Sequence, residues 1–127
     1  MTLQHVPQST APEAGPVVTR AVLRAADRLR LTARALATVI GVSEATVSRM
    51  RHGAYSLDPV SKPFELAVLF VRLFRSLDAI TGGDEGVAAA WLANDNTMLR
   101  GRPADLIQTI PGLIDVIAYL DARRALV

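Results

Sequence analysis

Few side chains in this sequence are suited to covalent or metal chemistry. The chain contains no cysteine, and its two histidines, His5 and His52, lie in unrelated contexts. A disulfide, a thiolate nucleophile and a cysteine-bound zinc ion are therefore excluded, and we expect no metal site. No spacing places a catalytic triad or a pair of carboxylates across a cleft. We expect a protein that is not an enzyme and that needs no cofactor.

The residues best suited to recognition lie in the second half of residues 31–53. Helical spacing places small and polar side chains on one outer face, namely Glu44, Ala45, Ser48 and Arg49. A slim polar helix of this kind fits a DNA major groove, which is about 12 Å wide. On that reading Ala45 meets a thymine methyl group, Arg49 reaches guanine and Ser48 bonds either base. Glu44 either accepts from cytosine or complements the positive helix N-terminus.

The elements that must hold this face are two short helices joined by a tight turn. Thr32 and Ser43 are suitable N-caps for the two helices, and Gly41 can adopt the positive φ that ends the first. Apolar residues at helical spacing face inward, namely Leu36, Ala37, Ile40, Val47 and Met50, and Gly53 ends the second helix. This layout is typical of a helix-turn-helix, the alternative being an ordinary helical hairpin.

This stretch resembles the helix-turn-helix of Xre-type phage and bacterial repressors, which implies a DNA partner. The DNA-binding residues that we expect are Thr32, Ser43, Glu44, Ala45, Thr46, Ser48, Arg49 and Arg51. Thr32 stands at a helix N-terminus, where free N–H groups commonly meet a phosphate. One module of this kind reads few bases, so we expect a homodimer that binds paired half-sites.

Charge is distributed unevenly along the 127 residues. Residues 1–53 hold seven arginines and three acids, whereas residues 54–127 hold seven basic and nine acidic residues. The halves therefore carry +4 and −2, which suggests two partners, although chance solvation gives the same imbalance. Arg20, Arg24 and Arg28 recur every four residues and form one stripe, which either faces DNA phosphates or is simply solvated.

Helical spacing without strand-like alternation predicts an all-α fold in three parts. We expect a flexible tail at residues 1–16, a helix-turn-helix domain at residues 17–57, and a second helical domain at residues 58–127. The first helix is predicted at residues 17–31. A further helix, predicted at residues 64–80, is apolar on over half its circumference, so it is either the central helix of a bundle or also forms a dimer interface. Ser61 and Asp84 are suitable N-caps, Pro103 is expected to open a short helix, and Thr109 is expected to start the last one. In that last helix we expect Leu113, Ile114, Ile117 and Leu120 to face inward, and we prefer Trp91 as an anchor of the core to Trp91 as a partner contact. Without a signal peptide or membrane-spanning segment, we expect a cytoplasmic protein.

The second half carries an ordered series of short motifs. They are Glu65-Leu-Ala, Leu77-Asp78, Gly82-Gly83-Asp84, Ala90-Trp91-Leu92, Asn96, Leu99, Gly101-Arg102-Pro103, Asp105-Leu106, Thr109, Gly112-Leu113 and Tyr119-Leu120. This series resembles the C-terminal toxin-binding domain of the Xre/MbcA/ParS antitoxins, which implies that residues 58–127 form a helical dimerisation and toxin-binding domain. Arg100 and Pro111 depart from it, since they stand where the family pattern has glycine and a polar residue.

The resemblance implies a type II antitoxin that neutralises a cognate RES-domain toxin, which consumes NAD, and that represses its own operon. The alternative is a stand-alone Xre-type repressor whose second half dimerises or senses a ligand. The toxin-binding residues that we expect are Asn96, Leu99, Arg100, Gly101, Arg102, Pro103, Arg123, Arg124, Leu126 and Val127. A pocket that binds the pyrophosphate of NAD favours guanidinium groups, so we expect Arg123 and Arg124 to extend outward together and plug it. Otherwise they only complement the helix dipole.

Overall fold

The computed structural model describes residues 10–126, with side chains from residue 13 onward. Within these residues there are seven helices and no strand, which confirms the predicted all-α fold. The helices are α1 (Thr10–Arg28), α2 (Ala33–Ile40), α3 (Glu44–Arg51), α4 (Lys62–Ile80), α5 (Glu85–Ala93), α6 (Pro103–Leu106) and α7 (Ile110–Arg124). None of these seven helices is long and apolar enough to cross a membrane.

Helix α4 is the centre around which the other helices pack. It contacts α1, α2, α5 and α7. Its buried positions lie on several sides of the helix, namely Leu66, Ala67, Phe70, Leu73, Ser76 and Leu77. Ser61 caps the helix by accepting a hydrogen bond from the Phe64 N–H at 3.3 Å, and Pro63 occupies the first turn. The apolar stretch therefore forms the central helix of a bundle, as its composition predicted.

Helix α1 begins earlier than the sequence indicated. Residues 10–16 belong to its first turns, so the prediction of a flexible tail over 1–16 is wrong for that part, and residues 1–9 lie outside the described residues. The physical reason is a close packing contact at Gly15, where an added Cβ would lie 2.5 Å from the Leu57 carbonyl oxygen. Thr19 secures this contact, because its hydroxyl donates to the Gly15 carbonyl at 2.7 Å and accepts from the Leu57 N–H at 2.9 Å.

Helix α1 also ends three residues before the predicted limit, at Arg28. The Leu31 N–H donates back to the Ala26 carbonyl at 2.9 Å, which closes the helix end with a wider turn. Arg30 adopts a positive φ of 60° in this turn. The turn directs the chain into α2, with Leu29 buried beneath it.

Helix α7 packs against α4 through Leu113, Val116, Ile117 and Leu120, which are all buried. The sequence pattern predicted that Ile114 also faces inward, and this is wrong. Its side chain is 45% exposed, because at about 100° per residue the position lies beside the buried positions of α7 and not among them. Val116 takes the inward position instead.

Candidate nucleic-acid and partner interfaces

The two helices of the predicted DNA-binding motif are capped as the sequence indicated. The Thr32 side chain accepts from the Ala35 N–H at 3.0 Å, and the Ser43 side chain accepts from the Thr46 N–H at the same distance. Gly41 ends α2 with a φ of 77°. A residue with a Cβ strains in this left-handed conformation, so glycine allows the sharp turn between α2 and α3.

The inner face of the motif is apolar and almost fully enclosed. Leu36 and Ile40 of α2 are completely buried, as are Val47 and, nearly so, Met50 of α3. These contacts hold α3 rigidly on α2, and α2 in turn packs against α4. Helix α3 is therefore positioned by the same core that holds the second half of the chain together.

The outer face of α3 is open, and its side chains are ordered by one another. Glu44, Ala45, Ser48 and Arg49 are exposed, as predicted. The Ser43 and Thr46 hydroxyls lie 3.0 Å apart, and the Arg49 guanidinium donates to the Thr46 hydroxyl at 3.0 Å. This relay links three of the predicted DNA-binding residues and holds Arg49 along the exposed face.

Arg51 is placed differently from the other candidates on α3. Its guanidinium forms an ion pair with Asp27 of α1 at 2.9 Å. These two residues share a shallow hollow of about 350 Å³ with Arg20, Arg24 and Leu23. The structure thus brings two members of the α1 arginine stripe beside the end of the recognition helix, where phosphates of a bound duplex are expected.

Arg28, the third member of that stripe, packs against helices α4 and α5 in the second half of the chain. Its guanidinium carbon lies 5.6 Å from the centre of the Phe74 ring, and its Nε lies 3.8 Å from the Glu85 carboxylate. This side chain therefore leaves the row that Arg20 and Arg24 form. The four-residue spacing alone did not reveal that Arg28 differs from Arg20 and Arg24, because the difference depends on where α4 and α5 pack.

The loop between α5 and α6 forms a compact, hydrogen-bonded turn. Asn96 and Gly101 exchange backbone hydrogen bonds at 2.9 and 3.2 Å, and the Asn96 side chain accepts from the Leu99 N–H at 3.0 Å. Arg100 adopts a φ of 61° within this turn. The expectation of glycine at this position is explained by that left-handed conformation, which costs least for glycine.

Arg102 of the loop is held by an ion pair. It makes a two-point contact with Asp105, with Nε and Nη2 at 3.0 and 2.9 Å from the two carboxylate oxygens. The hydrogen bond and the charge of Asp105 raise the pKa of Arg102 above its usual value. The neighbouring Pro103 is buried and opens α6, as predicted.

The structure brings one toxin-binding candidate close to a DNA-binding candidate. Arg102 and Gln108 line a groove of about 270 Å³ together with Arg30, Thr32 and Ala35. The loop therefore lies beside the N-terminus of α2, which the sequence assigned to a DNA phosphate. A ligand of either kind at this groove contacts residues from both halves of the chain.

The two arginines near the C-terminus do not extend outward together, contrary to expectation. Arg123 lies over the Tyr119 ring, with 5.6 Å between its guanidinium carbon and the ring centre. Arg124 reaches back to α4, where its Nη1 lies 3.4 Å from the Ser76 hydroxyl oxygen. Consecutive positions on a helix point about 100° apart, which accounts for the divergence. Val127 lies outside the described residues, and Leu126 is exposed.

The C-terminal candidates and the loop also lie in different grooves. Arg124 lines a groove of about 450 Å³ with Val17 and Val18 in the middle of α1. Arg102 lies beside Leu29, just beyond the end of that helix. Val17 and Leu29 are separated by twelve residues, or about 18 Å at the helical rise. The two candidate groups therefore occupy separate parts of the surface.

An exposed apolar row on α7 was missed by the sequence reasoning. Ile110, Ile114, Ala118 and Ala122 recur every four residues, all exposed, and Leu126 continues the row. Ile110 is 50% exposed, so the row offers considerable apolar surface. The four-residue spacing was visible in the sequence, but the assignment of Ile114 to the core concealed it.

Trp91 belongs to the packing rather than to an open surface. Its ring stacks with that of Tyr119 at a centroid distance of 6.2 Å and an interplanar angle of 17°. Both residues pack against the core and are partly buried. This contact fastens α5 to the last turns of α7, in agreement with the preferred interpretation of Trp91 as an anchor of the core.

Two family models match the chain. Residues 9–72 match the antitoxin Xre-like helix-turn-helix domain, and residues 76–125 match the antitoxin Xre/MbcA/ParS C-terminal toxin-binding domain. The two matches adjoin within α4, whereas the sequence placed a division after residue 57. Among curated proteins, none matches the chain. Since the first model alone covers half of the sequence and the second covers most of the rest, the chain belongs to the Xre/MbcA/ParS-type antitoxins.

Proposed function

We propose that this antitoxin binds a RES-domain toxin directly and stops its consumption of NAD. The observation that carries the proposal is the exposed apolar row of α7, which lies in the domain matched to toxin binding. Apolar side chains on a solvent-facing helix are suited to a protein partner, because their burial supplies the driving force for association. The RES class of the toxin comes from the family resemblance of the motif series in residues 65–120.

The contact surface that we propose has two parts. The first is the α7 row, which supplies apolar area, and the second is the turn at residues 96–103 with Arg102 held by Asp105. Arg100 is exposed on this turn, and its guanidinium has the shape and charge that suit a pyrophosphate-binding pocket. Because Arg123 and Arg124 are drawn onto Tyr119 and Ser76, the turn is favoured over the C-terminal end as the group that enters the toxin site.

Two paired substitutions distinguish the two modes of blocking. With purified toxin, a chain in which Arg123 and Arg124 are both replaced by alanine is expected to inhibit NAD loss as well as the natural chain does, because these side chains lie on Tyr119 and Ser76. Replacement of Arg100 and Arg102 by alanine is expected to weaken inhibition. The reverse result, with inhibition lost when Arg123 and Arg124 are replaced and kept when Arg100 and Arg102 are replaced, favours the C-terminal plug.

We further propose that the chain represses its own operon as a homodimer. The relay from Ser43 through Thr46 to Arg49 and the hollow with Arg20, Arg24 and Arg51 support a duplex held by base and phosphate contacts. Ser48, Glu44 and Ala45 are exposed beside them, and Thr32 remains the candidate for a phosphate at the start of α2. The test is a titration of DNA from upstream of the chain's own coding sequence, with unrelated DNA at equal salt as control.

Copurification separates this function from the stand-alone repressor. Coexpression with the protein encoded beside it is expected to yield a stable complex of the two. A chain that repeatedly purifies alone, yet still binds its operator, would instead support a repressor whose second half serves dimerisation or ligand sensing.

A further inference from the structure

Val68 forms an exposed ridge on α4 between two hollows. Its side chain is 43% exposed and lines both of them. One hollow, of about 520 Å³, adjoins Val60 and Phe64. The other, of about 450 Å³, adjoins Val71 and Arg72. An apolar ridge between two grooves allows helices to pack together, because the ridge of one helix fits into a groove of the other.

The residues around Val68 are complementary to themselves under a twofold rotation. At about 100° per residue, Glu65 and Arg72 lie on the same side of Val68, roughly 60° and 40° around the helix. They stand three residues before it and four after it. Phe64 and Val71 lie at similar angles on the other side, again on opposite sides of Val68 along the axis.

We propose that this face of α4 pairs with the same face of a second copy of the chain, antiparallel, with Val68 at the twofold axis. Glu65 of one copy then meets Arg72 of the other along one edge of the interface. Phe64 of one copy packs on Val71 of the other along the opposite edge. The arrangement is isologous, so every contact occurs twice. It rests on the homodimer of the proposed function and specifies its surface.

The charges on this face of α4 indicate that its partner is a second copy of the chain. The face carries an acid at one end and basic residues at the other, at nearly equal distances from Val68, and a symmetric interface needs this pattern. Within one chain Glu65 is paired with Lys62 at 2.8 Å, and Arg72 is paired with Asp121. All four side chains of these pairs remain partly exposed, so the new contact joins two existing pairs into one network at each end.

Arg75 completes the basic end of the face. It is exposed on α4 and lies seven residues after Val68, while Ser61 lies seven before it. The rotation places these two opposite one another, and a serine hydroxyl accepts a hydrogen bond from a guanidinium. No like charges oppose each other among these positions.

A single introduced cysteine tests the axis directly, because the natural chain contains none. Val68→Cys is expected to form a disulfide-linked dimer under mild oxidation, since residues at a twofold axis face their own copies. Val87→Cys is the matched control, being 52% exposed on α5, and is expected to stay unlinked. Light scattering of the natural chain is expected to give twice the 13.6 kDa chain mass.

Charge exchange tests the register. Glu65→Arg and Arg72→Glu are each expected to give monomers when alone and a mixed dimer when combined, because mixing restores both opposite-charge contacts. The natural chain could be dimeric while Val68→Cys fails to link the two copies, or while both charge variants leave the dimer intact. Either result would overturn this face as the interface but would leave the homodimer itself supported. A monomeric natural chain overturns both, while toxin inhibition and operator binding, measured separately, report on the rest of the proposed function.

Discussion

The relay on α3 predicts how operator affinity depends on two side chains. Arg49→Ala removes a guanidinium suited to a two-point contact with guanine, which is worth about 1–3 kcal/mol of operator binding. The dissociation constant is then expected to rise about 5- to 140-fold. Arg123→Ala is the charge control, since it removes one positive charge from α7, outside the helix-turn-helix.

Thr46→Val measures how much the relay contributes to holding Arg49. The change keeps the shape of the side chain and removes the hydroxyl that accepts from Arg49 at 3.0 Å. A hydrogen bond of this type contributes about 0.5–1.5 kcal/mol, so we expect affinity to fall about 2- to 12-fold. The cap of α3 persists, because the Ser43 side chain still accepts from the backbone N–H of residue 46.

The double variant decides whether Thr46 acts through Arg49. If it does, Thr46→Val costs nothing further once Arg49 is alanine, so the two losses are not additive. Fluorescence anisotropy with labelled operator DNA at one fixed salt concentration gives all four affinities. Fully additive losses would show that Thr46 contacts DNA by itself. Unchanged affinity of Arg49→Ala would refute the assignment of α3 as the reading helix.

Two further predictions concern stability and the toxin surface. Gly112→Ala places a Cβ 1.9 Å from the Leu106 carbonyl oxygen and is expected to cost about 3 kcal/mol or more in denaturant unfolding. Gly86→Ala, whose Cβ meets no atom closer than 3.5 Å, is expected to stabilise α5 by about 0.5–1 kcal/mol. Equal effects of the two substitutions on the free energy of unfolding would contradict the close packing of Gly112 against Leu106. Ile114→Arg is expected to weaken toxin binding in calorimetry while leaving unfolding and operator binding unchanged, whereas Val87→Arg leaves all three unchanged. Full toxin affinity of Ile114→Arg would remove the α7 row from the interface.

Local signals in the sequence predicted most helix boundaries in the helix-turn-helix and the second half. Thr32, Ser43, Ser61, Asp84 and Thr109 each cap the helix that follows, because a short polar side chain bonds the free N–H groups of the first turn. These contacts lie within three residues along the chain. They are therefore readable without knowledge of the fold.

Features that depend on contacts distant in sequence were not predicted. The start of α1 is fixed by Leu57, which lies some forty residues away along the chain, and no local pattern reveals that partner. The orientation of Ile114 depends on which side of α7 meets α4. The contact of Arg124 with the Ser76 hydroxyl joins residues 48 positions apart along the chain.

The most direct measurement of the central claim is NAD consumption by the purified toxin encoded beside this chain, with increasing amounts of the chain added. Direct neutralisation predicts that NAD loss falls in proportion to the chain added and ceases once the toxin is fully bound. A chain heated to unfold it serves as the control. Undiminished NAD loss in the presence of an excess of folded chain would contradict the proposal that this antitoxin silences a RES-domain enzyme by binding it.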